Sequence, residues 1–344
     1  MNAPAQWTRP LEPRMTPARV AVFRALNLGD MLCAVPALRA LRAGLPRAEI
    51  SLVGLPWARA FQARYAAYVD RFIEFPGYPG LPEATARPDE LDVFFAGMRK
   101  QHFDLCLQMH GSGPTSNRVV AQFGAHRAVG LGSPDDAASV RIWPYPSDRH
   151  EVLRNLYLVE QCLGVDGRDD ALEFPLTAQD WAELRTHSDL MACLDTPYVC
   201  LQPGARDPAK RWPAADFARV GDALGERGWR VVLTGCGAER ALAETVAGRM
   251  RHPCLIAARD ISVGGLAALL SGASLLVSND TGVAHLAAAL RVPSVVIFFA
   301  TDPMRWGPPM NGPHRVAGGN CMPPADTVCA AAIGLLERVR SPVS

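Results

Sequence analysis

The sequence predicts an α/β protein of two domains, each with a parallel β-sheet that is covered by helices on both faces. Short apolar strands alternate with longer helical patterns along the chain, and strands that are apolar throughout are typical of sheets buried on both sides. The alternation lapses near residues 165–172 and restarts at Tyr198. A chain of 344 residues is also long enough for two domains of about 150–170 residues each.

The expected strands follow this alternation in both halves of the chain. In the first half, strands are expected at 19–24, 49–54, 104–109 and 127–131. In the second half, they are expected at 198–202, 230–234, 254–257, 274–278 and 294–299. Amphipathic helices are expected between them, for example at 31–43, 214–227 and 239–249.

The domain boundaries are predicted from the same pattern. Residues 1–17 are rich in Pro and Ala and predict a disordered tail. Residues 18–172 and 173–325 form the two Rossmann-like domains, and the last helix, within 326–344, can pack on either of them. Because such sheets bind ligands beyond the carboxyl ends of their strands, we expect the domains to face each other across a cleft.

Composition argues against several classes of protein. Basic residues number 35 and acidic residues 34, so no net charge draws the chain to nucleic acid. Nine cysteines are scattered without a C-x-x-C pair, which argues against disulfides or a zinc site and favours a reducing cytosol. No apolar run reaches the ~20 residues of a membrane span, and the opening residues lack the apolar core of a secretion signal. A cytoplasmic globular protein is expected.

The segment 276–290, LVSNDTGVAHLAAAL, is the most informative part of the chain. A strand breaks into a polar turn, and a helix follows whose first amides are unpaired. Such a helix start attracts anions, most often phosphate. Asp280 and Thr281 can cap this helix, Gly282 allows a ligand to approach the backbone, and His285 lies one turn further on. A well-capped helix without a ligand is the alternative interpretation.

Asp30 is the candidate catalytic carboxylate of the first domain. Together with Gly29 it follows the first strand and opens the first helix, with Pro36 six residues further on. An exposed Asp near a helix N-terminus is ionised at neutral pH and can take a proton from an attacking hydroxyl. A simple capping role for Asp30 is the alternative. Pro36 is expected to begin or kink a helix, because its ring blocks a backbone bond.

Two further loops of the second domain follow strands and contain candidate ligand-binding residues. After the strand at 198–202, Arg206, Lys210 and Arg211 suit a diphosphate, although a solvated basic loop also explains them. After the next strand, Gly235 and Gly237 begin a dinucleotide-like loop, but Arg240 stands where the third glycine belongs. The NAD interpretation is therefore weak. Glu239 can bind ribose hydroxyls or compensate the charge of a helix start.

A polar turn of the first domain, between His110 and Ser116, follows a strand. It can contact an acceptor substrate or form an ordinary loop, and the sequence alone does not distinguish these alternatives. The same is true of Arg59, Arg64 and Arg71, which fit either a basic membrane contact or a solvated helix face.

Taken together and in this order, these segments resemble glycosyltransferase family 9, the heptosyltransferases of lipopolysaccharide core assembly. The similarity spans roughly residues 19–340. The matching pieces are Gly29-Asp30 with Pro36, the segment 150–164, Pro203-Gly204 with Lys210-Arg211-Trp212-Pro213, the segment 235–239, Asp280-Thr281-Gly282 with His285, and Thr301-Asp302-Pro303 followed by Gly307-Pro308.

The resemblance implies a GT-B fold and an inverting, metal-independent transfer of heptose from ADP-heptose to a lipid-linked glycan acceptor, without a cofactor. It implies that Asp30 is the base, that Lys210 meets the diphosphate and that Glu239 meets the ribose. The predicted donor-binding set is Lys210, Glu239, Asp280, Thr281, Gly282, His285, Arg206 and Ile261, and the predicted acceptor-side set is Gly29, His110 and Ser116. A lipid-linked acceptor also implies a peripheral contact with the inner face of the cytoplasmic membrane.

The chain departs from the family pattern at Ala205, Arg206 and Phe299. The first two replace hydroxyl residues near the diphosphate, and a bulky ring at 299 reshapes the wall of the expected cleft, so the sugar and acceptor can differ. Two alternative functions remain on the same scaffold: a nucleotide-sugar epimerase and a non-catalytic nucleotide-sugar-binding protein.

Overall fold

A computed structural model of the chain describes residues 17–133, 139–167, 169–309 and 311–340. The chain divides into two compact units, Met1–Asp170 and Ala171–Ser344. Each unit contains a six-stranded parallel sheet with helices between its strands. The predicted fold class, two Rossmann-like parallel-sheet domains, is confirmed. The tail expected at 1–17 lies outside the described residues, apart from its last residue.

The first unit has six parallel strands in the order β3-β2-β1-β4-β5-β6. The strands are β1 Arg19–Phe23, β2 Glu49–Gly54, β3 Arg71–Glu74, β4 Leu105–Gln108, β5 Arg127–Gly132 and β6 Arg141–Pro144. The helices are α1 Leu28–Gly44, α2 Ala58–Arg64, α3 Pro88–Arg99, α4 Thr115–Ala121 and α5 Glu151–Leu163.

The second unit repeats this arrangement, with the order β12-β11-β10-β7-β8-β9. The strands are β7 Tyr198–Gln202, β8 Arg230–Leu233, β9 Cys254–Ile256, β10 Leu275–Asn279, β11 Ser294–Phe298 and β12 His314–Gly318. The helices are α6 Ala178–Arg185, α7 Ser188–Leu194, α8 Ala214–Gly225, α9 Arg240–Ala247, α10 Val263–Ser271, α11 Gly282–Ala289, α12 Pro303–Trp306 and α13 Ala325–Arg340.

The central strands of each sheet are apolar, and their burial stabilises the fold. In β1, the four residues from Val20 to Phe23 are fully buried, as expected for a strand covered on both faces. In the core of the first unit, the Phe23 ring lies edge-on to Phe75 with centroids 4.9 Å apart, and edge-on to Phe123 at 5.9 Å. Such aromatic pairs add to the stabilisation that burial provides.

Three strands were not predicted, namely β3, β6 and β12, and all three lie at sheet edges. In β6 and β12 at least two residues are not buried, and in β3 none is buried. Edge strands therefore lack the continuous apolar run on which the prediction depended.

In each unit the strand order reverses at one point, and this point locates the site. The two strands that flank it are β1 and β4 in the first unit and β7 and β10 in the second. Loops leaving the carboxyl ends of such a strand pair diverge to opposite sides of the sheet and open a crevice for a ligand. The segments that follow β1, β7 and β10 contain Asp30, Lys210 and Asp280, respectively, three of the residues singled out from the sequence.

Two helices settle points that the sequence left open. The last helix, α13, buries Val328 and Ala332 in the core of the second unit. Pro36 lies inside α1 rather than at its start. Proline has no N–H and cannot donate a backbone hydrogen bond to the preceding turn. In that turn, the Asn155 side chain of α5 donates to the neighbouring carbonyl of Cys33 at 3.3 Å, which ties α1 to α5. Among the described residues, no helix is long and apolar enough to cross a membrane.

Candidate active site

In the second unit, Lys210 and Asp280 meet beside the reversal point of the sheet, although they lie 70 positions apart in the sequence. The Nζ atom of Lys210 is 2.7 Å from Oδ2 of Asp280. The hydroxyl of Thr301 donates to the same carboxylate oxygen at 2.5 Å. Asp280 is 6 % exposed, whereas the Lys210 side chain is 28 % exposed. The Lys210 side chain is therefore anchored by a buried carboxylate and remains partly exposed.

The helix that follows this carboxylate, α11, begins without a side-chain cap. Thr281 is the N-cap residue, but its side chain makes no capping hydrogen bond; its hydroxyl instead lies 3.4 Å from that of Ser278. The Asp280 side chain is bound to Lys210 and Thr301. The expectation that Thr281 and Asp280 cap the helix with their side chains is thus wrong. Gly282 opens α11, and amides left uncapped at a helix start form an anion site.

The loop that carries Lys210 is held against the sheet by Asn279 and Trp212. The Asn279 side chain accepts from the backbone N–H of Trp212 at 3.0 Å and donates to the carbonyl of Pro203 at 2.9 Å. The Trp212 ring is 1 % exposed, and its Nε1 donates to the carbonyl of Pro323 at 3.0 Å. Pro213 is the N-cap of α8. These buried hydrogen bonds fix the backbone of the loop from which the Lys210 side chain extends.

Glu239 lies at the end of a short 3-10 turn after β8. Its carboxylate accepts from the backbone N–H of Cys236 at 3.0 Å and from Nε2 of Gln202 at 3.2 Å. A Cβ atom on Gly204 would overlap this carboxylate. Glycine at 204 therefore lets Glu239 lie directly against the loop that leads to Lys210, which brings these two predicted donor-binding residues to one end of the sheet.

The other predicted donor-binding residues surround this end of the second sheet. His285, in α11, is 5 % exposed, and its ring meets the Trp306 ring edge-on at 6.3 Å. Arg206 is exposed in the loop after β7. Ile261 precedes α10 and occupies the space next to Gly265. Phe299 packs against the apolar core of the second unit, which explains a bulky ring there without reference to a substrate.

In the first unit, Asp30 lies in the first turn of α1, which begins after β1. Its side chain is half-buried, so the expectation of an exposed carboxylate is wrong. Burial raises the pKa of Asp30, the nearby Arg24 guanidinium lowers it, and the Glu151 carboxylate raises it again. Backbone N–H groups of Asp30 and Asn27 lower the pKa further. The net pKa lies above the ordinary value of an Asp, and carboxyl groups with a perturbed pKa are common at functional sites.

A buried charged network surrounds Asp30, and the sequence analysis missed it. Arg24, at the end of β1, is 1 % exposed. Its Nε donates to the carbonyl oxygen of Asp30 at 3.0 Å, and its Nη2 donates to the same oxygen. Its Nη1 donates to the carbonyl of Met109 and, at 2.9 Å, to Oδ1 of Asn155. The signal in the sequence was a lone arginine that ends an apolar strand.

The network continues along α5 through Glu151. This carboxylate is 3.5 Å from Nη2 of Arg24 and 3.2 Å from Nη1 of Arg154. Arg154 in turn donates to the carbonyls of Pro146 and Ser147 at 2.8 and 2.6 Å. Buried charges are costly unless they are paired and hydrogen-bonded, and here each guanidinium is surrounded by acceptors.

The predicted acceptor-side residues are all buried. Gly29 lies in the first turn of α1. The Nδ1 atom of His110 accepts from the backbone N–H of Ala25 at 3.1 Å, and its Nε2 is 3.4 Å from a carboxylate oxygen of Glu83. The Ser116 hydroxyl is buried without a hydrogen-bond partner in the described part of the chain. Their placement indicates that they shape the loops of the first unit; contact with an acceptor stays a prediction.

The arginines considered for a membrane contact are partly engaged within the first unit. Arg71 lies 2.9 Å from a carboxylate oxygen of Glu49. Arg59 lies 3.9 Å from Glu74, and its guanidinium sits over the Phe72 ring, 4.9 Å from the centroid. These contacts favour the interpretation of a solvated surface for both residues. In the described ranges, no group of three or more His, Cys, Asp or Glu side chains is placed to hold a metal ion.

Comparison with known proteins identifies the family. Residues 94–330 match the sequence model of glycosyltransferase family 9 (heptosyltransferase). The chain belongs to this family. It is 31 % identical to lipopolysaccharide heptosyltransferase 1 of Pseudomonas aeruginosa over 295 residues, which cover 83 % of this chain and 79 % of the relative. The predicted family is thus confirmed, and the protein is a glycosyltransferase.

Solved structures of this family share the fold. A family 9 glycosyltransferase from Veillonella parvula superposes with a TM-score of 0.80 at 21 % identity, covering 94 % of this chain and 98 % of that one. The Escherichia coli heptosyltransferase WaaC with ADP superposes with a TM-score of 0.69 at 21 % identity, covering 94 % and 100 %. The predicted GT-B fold is confirmed.

Proposed function

We propose that this glycosyltransferase transfers heptose from ADP-heptose to a sugar of the lipopolysaccharide core, with inversion at the anomeric carbon and without a metal ion. The observation that carries the proposal is the ammonium group of Lys210, held by Asp280 beside the uncapped start of α11. A cation and helix amides are the groups that a leaving diphosphate requires when no metal neutralises it. The P. aeruginosa relative bears the name of a lipopolysaccharide heptosyltransferase, and the similar E. coli structure contains ADP.

The proposal divides the reaction between the two domains predicted at 18–172 and 173–325. In the second, Lys210 and the amides of α11 bind the diphosphate, and Glu239 binds the ribose. Asp280 orients Lys210, because a carboxylate would itself repel the diphosphate. Arg206, Ile261 and His285 complete the walls of the donor site.

Asp30, in the first domain, is the proposed general base. Its carboxylate takes the proton from an acceptor hydroxyl as that oxygen forms a bond to the anomeric carbon of the heptose. The bond from that carbon to the diphosphate oxygen breaks, and ADP leaves with the electron pair. Attack from the face opposite to the leaving group inverts the configuration. Gly29, His110 and Ser116 shape the acceptor side around Asp30.

The donor is tested by thermal unfolding of the protein with ADP-, UDP- and GDP-sugars. A ligand that binds only the folded state raises its stability with the logarithm of saturation. We expect ADP-heptose and ADP to raise the unfolding temperature, and the UDP and GDP compounds to have little effect. A preference for UDP or GDP would contradict the proposed donor.

The transfer is tested by ADP release from ADP-heptose with lipopolysaccharide cores that carry no heptose, one heptose or two. We expect release with one of these acceptors, a product of inverted anomeric configuration by NMR, and unchanged rates in excess chelator. Donor turnover without any acceptor would favour the epimerase alternative, and donor binding without turnover would favour a binding protein.

A lipid-linked acceptor also implies a peripheral membrane contact, which flotation with anionic vesicles at low salt tests. We expect binding that is lost at high salt, since such contacts are electrostatic. The absence of binding to these vesicles would count against the contact.

A further inference from the structure

The buried pair Arg24 and Glu151 lies next to Asp30 and has no part in the reaction described above. We propose that this pair positions the catalytic carboxylate: Arg24 fixes the turn that carries Asp30, and Arg24 and Glu151 place charges of opposite sign beside it. This inference rests on the proposed role of Asp30 as the base.

The positioning role follows from the hydrogen bonds that the Arg24 guanidinium donates. Two of its N–H groups converge on the backbone carbonyl of Asp30, and others reach the carbonyl of Met109, just after β4, and Asn155 of α5. One side chain thus joins the two strand ends that flank the reversal point to the first turn of α1. A guanidinium offers five donors in a rigid fork, whereas the three donors of an ammonium group radiate from one nitrogen.

The electrostatic role follows from the composition of the cluster. The charged groups that act on the Asp30 carboxyl are Arg24, from the end of β1, and Glu151, from α5. At the start of α1, the backbone N–H groups of the N-cap Asn27 and of Asp30 also act on it. Behind Glu151 lies the second cation, Arg154. With Asp30 ionised, two carboxylates balance two guanidinium groups, and this balance is the condition under which buried charges are tolerated.

The two partners act on the protonation of Asp30 in opposite directions. Arg24 lowers the pKa of Asp30 and Glu151 raises it. If only the overall fold depended on this cluster, removing either charge would lower activity in the same way at every pH. If the cluster sets the charge of the base, the two substitutions must shift the acidic limb of the pH–rate profile in opposite directions.

The test compares Arg24→Gln, Arg24→Lys and Glu151→Gln in the full-length protein, assayed for ADP release from ADP-heptose with the acceptor that supports turnover. We expect Arg24→Gln to move the acidic limb of the kcat profile to higher pH and Glu151→Gln to move it to lower pH. Arg24→Lys keeps the charge but not the fork, so the limb should stay while kcat falls by about 10²-fold from misplacement of Asp30. The KM for ADP-heptose should change little in all three.

Circular dichroism and thermal unfolding identify any variant that does not fold; if Arg24→Gln fails to fold, Arg24→Lys and Glu151→Gln decide. Limbs that do not move, limbs that move in the same direction, or an Arg24→Lys protein with full kcat would overturn the proposal. Asp30→Asn, assayed in parallel, separates this result from a failure of the proposed function. An active Asp30→Asn protein refutes the base itself, whereas an inactive one with unmoved limbs refutes only the role of the pair.

Discussion

The reversal points of the two sheets have the same topology, but they differ in how deeply their charged side chains are buried. In the first unit, Arg24 and Glu151 are almost completely buried, at 1 % and 4 % exposure, and every charge is held by several partners. At the reversal point of the second unit, the carboxylate of Asp280 is buried, whereas the Lys210 side chain remains 28 % exposed. The strand order alone therefore does not determine chemistry; the residues that follow the strands do.

This difference matches two different tasks. A general base must stay in one place with a controlled charge, and burial among fixed hydrogen bonds provides both. A group that binds a diphosphate must be free to exchange its partner. Lys210 can turn from Asp280 to a ligand, whereas Arg24 cannot leave the Asp30 carbonyl without breaking a buried network. Substitutions in the first unit should therefore change the chemical step, and those in the second unit should change donor binding.

The largest expected effect is that of Asp30→Asn on turnover. The amide keeps the size of the side chain but cannot accept the proton, so kcat should fall by about 10²–10⁴-fold, as for other positioned bases. Steady-state ADP release measures it. Near-normal turnover would mean that Asp30 only contributes to the start of α1.

Asp30→Asn should also leave the protein at least as stable at neutral pH. The folded-state pKa of Asp30 is raised by burial, so ionisation disfavours the folded state above that pKa, and the penalty disappears as pH falls toward the pKa of the unfolded chain. Thermal unfolding of both proteins from neutral to acidic pH checks this. The wild-type protein should gain stability relative to the variant on acidification, and the opposite trend would contradict the raised pKa.

Next in size is the effect of Lys210→Ala on donor affinity. A hydrogen bond to a charged group contributes about 1.5–3 kcal/mol, so the Kd for ADP-heptose should rise by roughly 10–100-fold. Calorimetric titration measures it. Arg219→Ala is a matched control, because Arg219 is an exposed cation of the same unit that pairs with Asp326 at 2.8 Å. Equal affinities for wild type and Lys210→Ala would remove Lys210 from the diphosphate site.

Trp212→Phe should have a smaller effect, on stability. The substitution removes the donor to the buried carbonyl of Pro323, and leaving such a group unpaired costs about 1–3 kcal/mol. Urea unfolding gives the change in the free energy of unfolding. Because Trp212 also holds the loop of Lys210, donor affinity should fall with it. An unchanged midpoint would show that water replaces the indole N–H.

The smallest expected effect at neutral pH concerns His314, at the start of β12. Burial, helped by the charge of Arg315, lowers the pKa of His314 to about 4, below the ordinary value near 6.5. As pH falls through this window the unfolded chain binds a proton first, so stability should decrease by at most about 1.4 kcal/mol per pH unit. His314→Asn should lack this part of the pH dependence. Identical pH–stability curves for the two proteins would exclude this role of His314.

The central strands of both sheets, and the motifs proposed to bind the donor, could be predicted from the sequence for a physical reason. Strands such as β7 and β10 are continuous apolar runs, and parallel topology brings their carboxyl ends together, so a contact between Lys210 and Asp280 could be anticipated. The edge strand β3 could not be found in the same way, because it is only partly buried. The link between Arg24 and Asn155, 131 positions apart, depends on how α5 packs against α1 and has no local signature.

The most direct test of the division of labour is calorimetric titration of ADP-heptose into Asp30→Asn. The account predicts a Kd within about twofold of wild type, since all proposed donor contacts come from the second unit and twofold is well under 1 kcal/mol. A loss of donor affinity as large as that expected for Lys210→Ala would contradict it, because Asp30 would then belong to the donor site rather than to the base of the acceptor side.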